Sequence, residues 1–298
     1  MLAGRAYAPD MAPLAVPHVE HLARTPAGPL GLAVARTTGY RMSGFAPGHH
    51  AGLPSPSLTV IFSFDDPLTL SRLPDPHEAG LRHWTVVGGL HTRPATIDHD
   101  GEQHGIQLDV TPLGSRLLFG RPAADLAEGV VPLDEVLGPL AAELHERLWA
   151  TPGWDERLDL LEALLSRRME QLDARTTVRR ELRWAWAQLC AGASRVDDLA
   201  DELGWSRRHL SAQFRREFGL SPRTIGRVAR FDRARRLLRA GATSAGPRWS
   251  EVAQLSGYAD QAHLTREWSR LAGASPAAWW ADEEFPSVQD QLTSGAAG

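Results

Sequence analysis

Arg207, Arg208, Arg215 and Arg216 stand with Ser211 and Ala212 in a segment whose apolar residues, Leu210, Phe214 and Phe218, recur every fourth position. That spacing predicts a helix with the apolar side chains on its core side, leaving Arg207, Arg208, Ser211, Ala212 and Arg215 outward. The planar fork of arginine matches O6 and N7 of guanine, and arginine is the commonest side chain to read a base edge directly. A second segment repeats the plan. Leu264 and Trp268 take the core side, and Gln261, Ala262, Thr265 and Arg266 remain outward. Glutamine pairs with adenine in the same two-pronged way, and a good pairing of either kind contributes about 1–3 kcal/mol of discrimination. Arg216, Arg223 and Arg227 fall near the end of one predicted helix and the start of the next, where phosphate is the expected partner.

Both segments sit in a longer pattern that occurs twice. The first copy runs Leu199-Ala200-Asp201-Glu202-Leu203-Gly204-Trp205-Ser206, passes Leu210, Phe214 and Phe218, and closes on Gly219-Leu220-Ser221-Pro222. The second runs Val252-Ala253-Gln254-Leu255-Ser256-Gly257-Tyr258-Ala259, passes Leu264 and Trp268, and closes on Gly273-Ala274-Ser275-Pro276. Leu210 and Leu264, Phe214 and Trp268, Gly219 and Gly273, and Pro222 and Pro276 pair at an offset of 54. Gly204 and Gly257 pair at 53, so the second turn is one residue longer. A short helix, a glycine where the chain needs positive φ, and a two-sided helix make a helix-turn-helix. Two in tandem point to two stretches of groove in double-stranded DNA.

The elements that must position these faces can be read from capping and period. Ser206 is placed to cap the outward-facing helix of the first unit. Ser221-Pro222 opens the next helix, with proline at its first position. Ile225, Val228, Phe231, Ala234, Leu237 and Leu238 carry that helix to about Arg239, long enough to hold the units at a fixed distance. Upstream, Val178, Leu182, Ala185, Trp186 and Leu189 define another helix. Ser194, with Asp197 three residues on, reads as the capped start of the short helix that follows.

Before this lies a different texture. At 298 residues, two domains are expected: an N-terminal sensing and dimerising domain over 1–172, a linker over 173–177, the tandem units over 178–285 and a flexible tail over 286–298. Strands are predicted at Ser57–Phe64, Trp84–Val87 and Gly105–Thr111, with a hairpin inside Leu32–Phe45. The alternation from Gly105 to Thr111 predicts one buried face, and Pro112-Leu113-Gly114 a turn after it. Leu133, Val136, Leu137, Leu140, Leu144 and Leu148 predict one amphipathic helix, and Leu158, Leu161, Leu164 and Leu165 a second, to about Leu172. The fold class is therefore α+β: an antiparallel β-rich barrel or sandwich with a helical hairpin, then an all-α part.

Charge and composition narrow the function classes. The net charge of −4 conceals 18 Arg against 13 acidic residues from Thr176 to Phe285, and 14 Arg against 22 from Met1 to Arg175. A basic end on an acidic body predicts local phosphate contact. No apolar run is long enough to span a membrane or to resemble a secretory leader, which predicts a cytoplasmic protein with no membrane partner. The single cysteine, Cys190, allows no internal disulfide and no cysteine-rich zinc site, and its place on an apolar stripe predicts a buried, inert thiol. His83, His91, His99 and His104 are spread through the predicted strands and His49-His50 occupy a loop, without tight ligand spacing. Surface histidines are expected, with His91 and His104 the pair most worth watching beside a nearby Glu102. No catalytic motif, phosphate-binding glycine loop or cofactor signature is present, so no enzymatic activity, cofactor or metal is expected. Two other classes remain open: a small-barrel metal-dependent enzyme carrying a DNA-locating module, and an adaptor that docks a partner protein through the Leu133–Leu172 helices.

The two repeats, with Arg230, Ala234 and Leu237-Leu238 between them, resemble the AraC/XylS family of bacterial transcription regulators over about Val178–Trp280. The resemblance implies seven helices, of which the third and sixth enter successive major-groove segments about one turn apart on one face of the DNA. It carries base reading onto Arg208, Ser211 and Ala212, and onto Gln261, Ala262, Thr265 and Arg266, and it implies RNA polymerase as a partner. Three features depart from the family pattern. Ala212 stands where arginine is usual, Trp268 replaces phenylalanine while Ala272 replaces a large apolar residue, and Trp279-Trp280 replaces Tyr-Arg. Ser57-Leu58-Thr59-Val60, Val87-Gly88-Gly89-Leu90 and Thr111–Gly120 resemble sensor domains that precede such units. This implies a small-molecule effector or a protein-sensing role and names no ligand, and it leaves open whether the chain forms a homodimer.

Overall fold

A computed structural model describes residues 16–172, 178–241, 246–282 and 288. The predicted linker 173–177 lies outside the described residues, as does the predicted tail 286–298 apart from Val288, which is buried with Tyr40 and Met42.

In the N-terminal part the chain runs β1 (His18–Arg24), α1 (Leu30–Ala33), β2 (Val34–Ser43), β3 (Gly48–Gly52), β4 (Leu58–Ser63), β5 (Leu68–Arg72), β6 (Leu81–His83), β7 (Thr85–Gly88), β8 (Ala95–His99) and β9 (Gln103–Val110). Then come α2 (Pro112–Phe119), a 3₁₀ turn at Ala123–Leu126, β10 (Val130–Pro132), α3 (Asp134–Leu137), α4 (Pro139–Ala150) and α5 (Trp154–Gln171). Six strands form an antiparallel sheet in the order β1-β2-β9-β4-β7-β10, and four form a second in the order β3-β8-β5-β6. The large sheet is covered on both faces. Leu58, Val60 and Phe62 of β4 and Ile106, Leu108 and Val110 of β9 join Leu144, Leu148, Leu158 and Leu161 of the helices in one core. Ile61 and Val86 face the other way, against Leu68, Leu70 and Ile97 of the small sheet. A cavity of about 60 Å³ remains between the sheets.

This double cover corrects the one-faced reading of β9. Its polar position Gln107 is 5% exposed, lines the inter-sheet cavity and donates to Asp109 Oδ1 at 2.9 Å. Other expectations also change. Leu32–Phe45 holds no hairpin, because β2 is one ten-residue strand paired with β1 and β9. Pro112-Leu113-Gly114 opens α2 instead of closing a turn. Thr111 Oγ1 accepts from Gly114 N at 2.9 Å and Pro112 takes the first helical position, the arrangement recognised in the sequence at Ser221-Pro222. Gly114 sits inside this helix because a Cβ there would meet the Ala33 carbonyl oxygen at 2.0 Å. The helix expected from Leu133 to Leu148 is broken between α3 and α4 by Gly138, at φ 60, before Pro139.

Seven helices follow among the described residues: α6 (Arg180–Ala191), α7 (Val196–Glu202), α8 (Arg207–Phe218), α9 (Pro222–Ala240), α10 (Trp249–Leu255), α11 (Gln261–Ala272) and α12 (Pro276–Asp282). The architecture is α+β, as the period change along the chain predicts. No helix among the described residues is long and apolar enough to cross a membrane.

Candidate nucleic-acid interface

The two units are built alike from their sequences. In the first, Gly204 adopts φ 65 and lets Trp205 N–H close on Ala200 O at 2.8 Å. In the second, Gly257 adopts φ 81 and Tyr258 N–H closes on Ala253 O at 2.9 Å. Ser206 caps α8 by accepting from His209 N at 3.1 Å, and Asp260 caps α11 by accepting from His263 N at 2.6 Å. Gly219 and Gly273 end the two helices at φ 78 and φ 75. Ser221 caps α9 as expected, accepting from Thr224 N at 3.2 Å. The start of α7 lies one residue beyond the expected place: the Arg195 amide donates to Asp198 Oδ2 at 3.3 Å, so Ser194 and Asp197 are not the capping pair.

Cores form where the spacing places them. Leu210 and Phe214 are fully buried and Phe218 nearly so, with Trp186 of α6 against Phe218 at 4.6 Å between ring centroids. Leu264 and Trp268 are fully buried, with Trp268 between Phe231 at 4.8 Å and Trp279 at 5.0 Å. Bulk missing at Ala272 is thus supplied by indole rings from two elements. The linker helix α9 joins the units through Arg233, which donates to Cys190 O at 2.8 Å on α6 and Ser256 O at 3.4 Å in the second turn.

Arg208, Ala212, Arg215 and Arg216 are exposed on α8, Gln261, Ala262 and Arg266 are exposed on α11, and Arg223 is exposed in the first turn of α9. Ser211 and Thr265 are half-buried, and Thr265 Oγ1 donates back to Gln261 O at 2.9 Å. Arg207 is exposed but pairs with Asp197 of α7 at 2.7 Å, a surface pair of small energetic weight. Arg227 is not a free phosphate ligand. It is half-buried and donates to Glu267, which also holds Arg270 at 3.1 Å. Burial acts to raise the Glu267 carboxyl, but the Arg227 hydrogen bond and the charges of Arg227, Arg270 and His263 outweigh it and hold the group below the usual carboxylate range.

Sequence spacing gave no sign of the seam between the N-terminal part and the first unit. Arg116 of α2 grips the buried Glu217 of α8 with both arms of its fork, at 2.5 and 2.7 Å. Gly219 lies against Ala124 of the 3₁₀ turn and Ala127 just after it, and Gly273 lies against Pro94. Only partners distant in sequence identify these contacts.

The remaining candidates do not assemble into a site. His83, His91, His99, His104 and His50 are half-buried, not surface groups, while His49 is exposed. His91 lines the inter-sheet cavity and donates to Arg93 O at 2.5 Å. His104 accepts from Arg157 at 3.0 Å and donates to Asp65 at 3.0 Å, so the two watched histidines serve different partners. Among the described residues, no group of three or more His, Cys, Asp or Glu could hold a metal ion. Burial pushes the Cys190 thiol up to about 12, leaving it without thiolate character near neutral pH.

A family model described as a helix-turn-helix domain, HTH_18, matches residues 199–281. No curated protein matches this chain. Among solved structures, ToxT from Vibrio cholerae is 13% identical over 82% of this chain and 96% of that chain, with a TM-score of 0.48. The C-terminal domain of AraT, a response regulator from Geobacillus stearothermophilus, is 19% identical over 39% of this chain and 95% of that chain, with a TM-score of 0.32. The AraC-like transcriptional activator CuxR is 16% identical over 79% of this chain and 90% of that chain, with a TM-score of 0.27. Residues 199–281 of this chain therefore belong to a helix-turn-helix domain.

Proposed function

We propose that this protein is a sequence-specific transcription regulator whose α8 and α11 enter successive major-groove segments on one face of DNA. One observation carries this reading: two helix-turn-helix units with matched turns, caps and outward polar faces are held by a single 19-residue helix. Arg208, Ser211, Arg215, Gln261, Thr265 and Arg266 take the base edges, with Ala212 and Ala262 offering apolar contact to thymine methyls. Arg216 and Arg223 take phosphates, and Arg207 joins them by exchanging Asp197 for DNA. The N-terminal part, 1–172, serves as the sensing part. Its inter-sheet cavity, with Gln107, Tyr40, His50 and His91 around apolar walls, is the place for an effector and, at about 60 Å³, must widen to admit one. Homodimerisation and contact with RNA polymerase belong to the same reading through the family resemblance. An effector acts only to the extent that its affinity differs between arrangements of the two parts.

Selection of bound sequences from a random duplex library tests the reading. Enrichment of two short blocks about one helical turn apart is expected. Recovery of no motif, by the whole chain and by residues 176–298 alone, contradicts it.

A further inference from the structure

His209 and His263 are also 54 residues apart, and each is the third residue of its recognition helix. Each packs edge-on against the aromatic ring of its own turn. His209 meets Trp205 at 4.8 Å and 88°, and His263 meets Tyr258 at 5.3 Å and 89°. An arginine backs each ring: Arg179 Cζ lies 5.1 Å from the Trp205 ring, and Arg230 Cζ lies 5.7 Å from the Tyr258 ring. The same arginine–aromatic–histidine stack is thus built twice, although one arginine precedes α6, the other lies on α9, and the aromatic residues differ. A repeated stack of this kind fixes imidazole orientation.

That orientation has chemical content. His263 Nδ1 accepts from Ala259 N–H at 3.4 Å, so the neutral ring carries its hydrogen on Nε2. Two turns along the same edge of each helix stands an arginine, Arg216 and Arg270, again 54 apart. In the first unit the positions between them are Ala212, which has no polar group, and the half-buried Gln213, so His209 and Arg216 are the exposed donors along that edge.

Resting on the DNA-binding reading, we propose that His209 and His263 are matched backbone-gripping residues, each donating Nε2–H to a DNA phosphate oxygen at the edge of its recognition helix. The contact fixes how deeply the helix sits and carries no base preference.

The test uses the full chain with a random-sequence duplex and with the enriched duplex. His209→Ala and His263→Ala each weaken binding about tenfold on both duplexes, without change in base preference or melting temperature. Glutamine places an N–H where imidazole Nε2 stands and asparagine does not, so His263→Gln restores binding and His263→Asn fails to. Binding by both alanine variants equal to that of the unaltered chain overturns the inference alone. So does a loss confined to the enriched duplex, a fall in melting temperature that accounts for the loss, or a glutamine variant as weak as alanine. Failure of the unaltered chain to bind any duplex overturns the DNA-binding reading and this inference with it.

Discussion

The two helix-turn-helix units share one plan and differ in what they are fastened to. Leu199, Leu210, Phe214, Phe218 and Leu220 of the first unit belong to the same continuous core as Leu58, Val60 and the helices over the large sheet. The second unit has a core of its own around Trp268, Phe231 and Trp279, into which the N-terminal part, among the described residues, contributes Leu53, with Ala51 beside it. The first unit also carries the Arg116–Glu217 grip. The faces differ as well: arginine-rich on α8, and a mixed Gln, Thr and Arg face on α11. The repeated plan therefore serves two mechanical roles. One unit is a continuation of the body, and the other is a nearly independent reader held by α9.

The largest effect that could break this comparison is loss of either core. Phe214→Ala and Trp268→Ala should each cost about 3–5 kcal/mol. Hydrogen exchange should show Phe214→Ala loosening the N-terminal helices along with the first unit, and Trp268→Ala loosening only α10–α12 and the end of α9. Spread of the second effect into the large sheet would remove the distinction.

The helix ends give a finer contrast. Gly219 and Gly273 have nearly the same positive φ, but a Cβ at Gly219 would meet Ala127 Cβ at 2.2 Å, against 3.4 Å from Pro94 Cγ at Gly273. Gly219→Ala should cost about 2–4 kcal/mol and Gly273→Ala about 1, by denaturant unfolding. Equal costs would mean that the seam gives way as easily as open solvent.

On DNA, Arg266→Ala should lose about 1–3 kcal/mol of discrimination at a single position of the selected motif. Arg223→Ala should weaken every sequence alike and flatten the salt dependence. Reversal of those outcomes would exchange the roles of the two arginines.

Smallest near neutral pH is an acid effect confined to the body. Burial, with the charges of His99 and His49, pushes His50 down to about 3 from its ordinary 6.5. The unfolded chain binds this proton first, so the stability of the N-terminal part should be fully present above 6.5 and fall as pH drops from 6.5 toward 3. His50→Gln should shallow that slope in thermal unfolding, and an unchanged slope would place the acid sensitivity elsewhere.

The two halves also differ in how legible they were. The tandem units could be read nearly residue by residue because each boundary is a local signal: Ser206, Gly219, Ser221-Pro222, Gly257 and Gly273 act on their own neighbours. The small sheet could not. β3 is Gly48-His49-His50-Ala51-Gly52, with neither β-branched residues nor a period, and it is a strand because β8 pairs with it. β9 alternates in sequence but is covered on both faces, so its pattern described composition instead of exposure. α2 did carry its signal at Thr111-Pro112, yet Gly114 reads as a turn until Ala33 is seen against it. At the candidate interface, period alone placed Arg207, Arg208, Ala212, Arg215, Gln261, Ala262 and Arg266 outward, whereas Ser211 and Thr265 are half-buried. The engagements of Arg207 with Asp197 and Arg227 with Glu267 did not follow from period, because each partner lies on another helix.

On the proposed reading, α8 and α11 are held by α9 in one register, so that both reach the same face of a duplex. Inserting about five base pairs, half a helical turn, between the two blocks of the selected sequence tests it most directly. Affinity should fall to that of a duplex keeping only one block. Affinity unchanged by the insertion would contradict it.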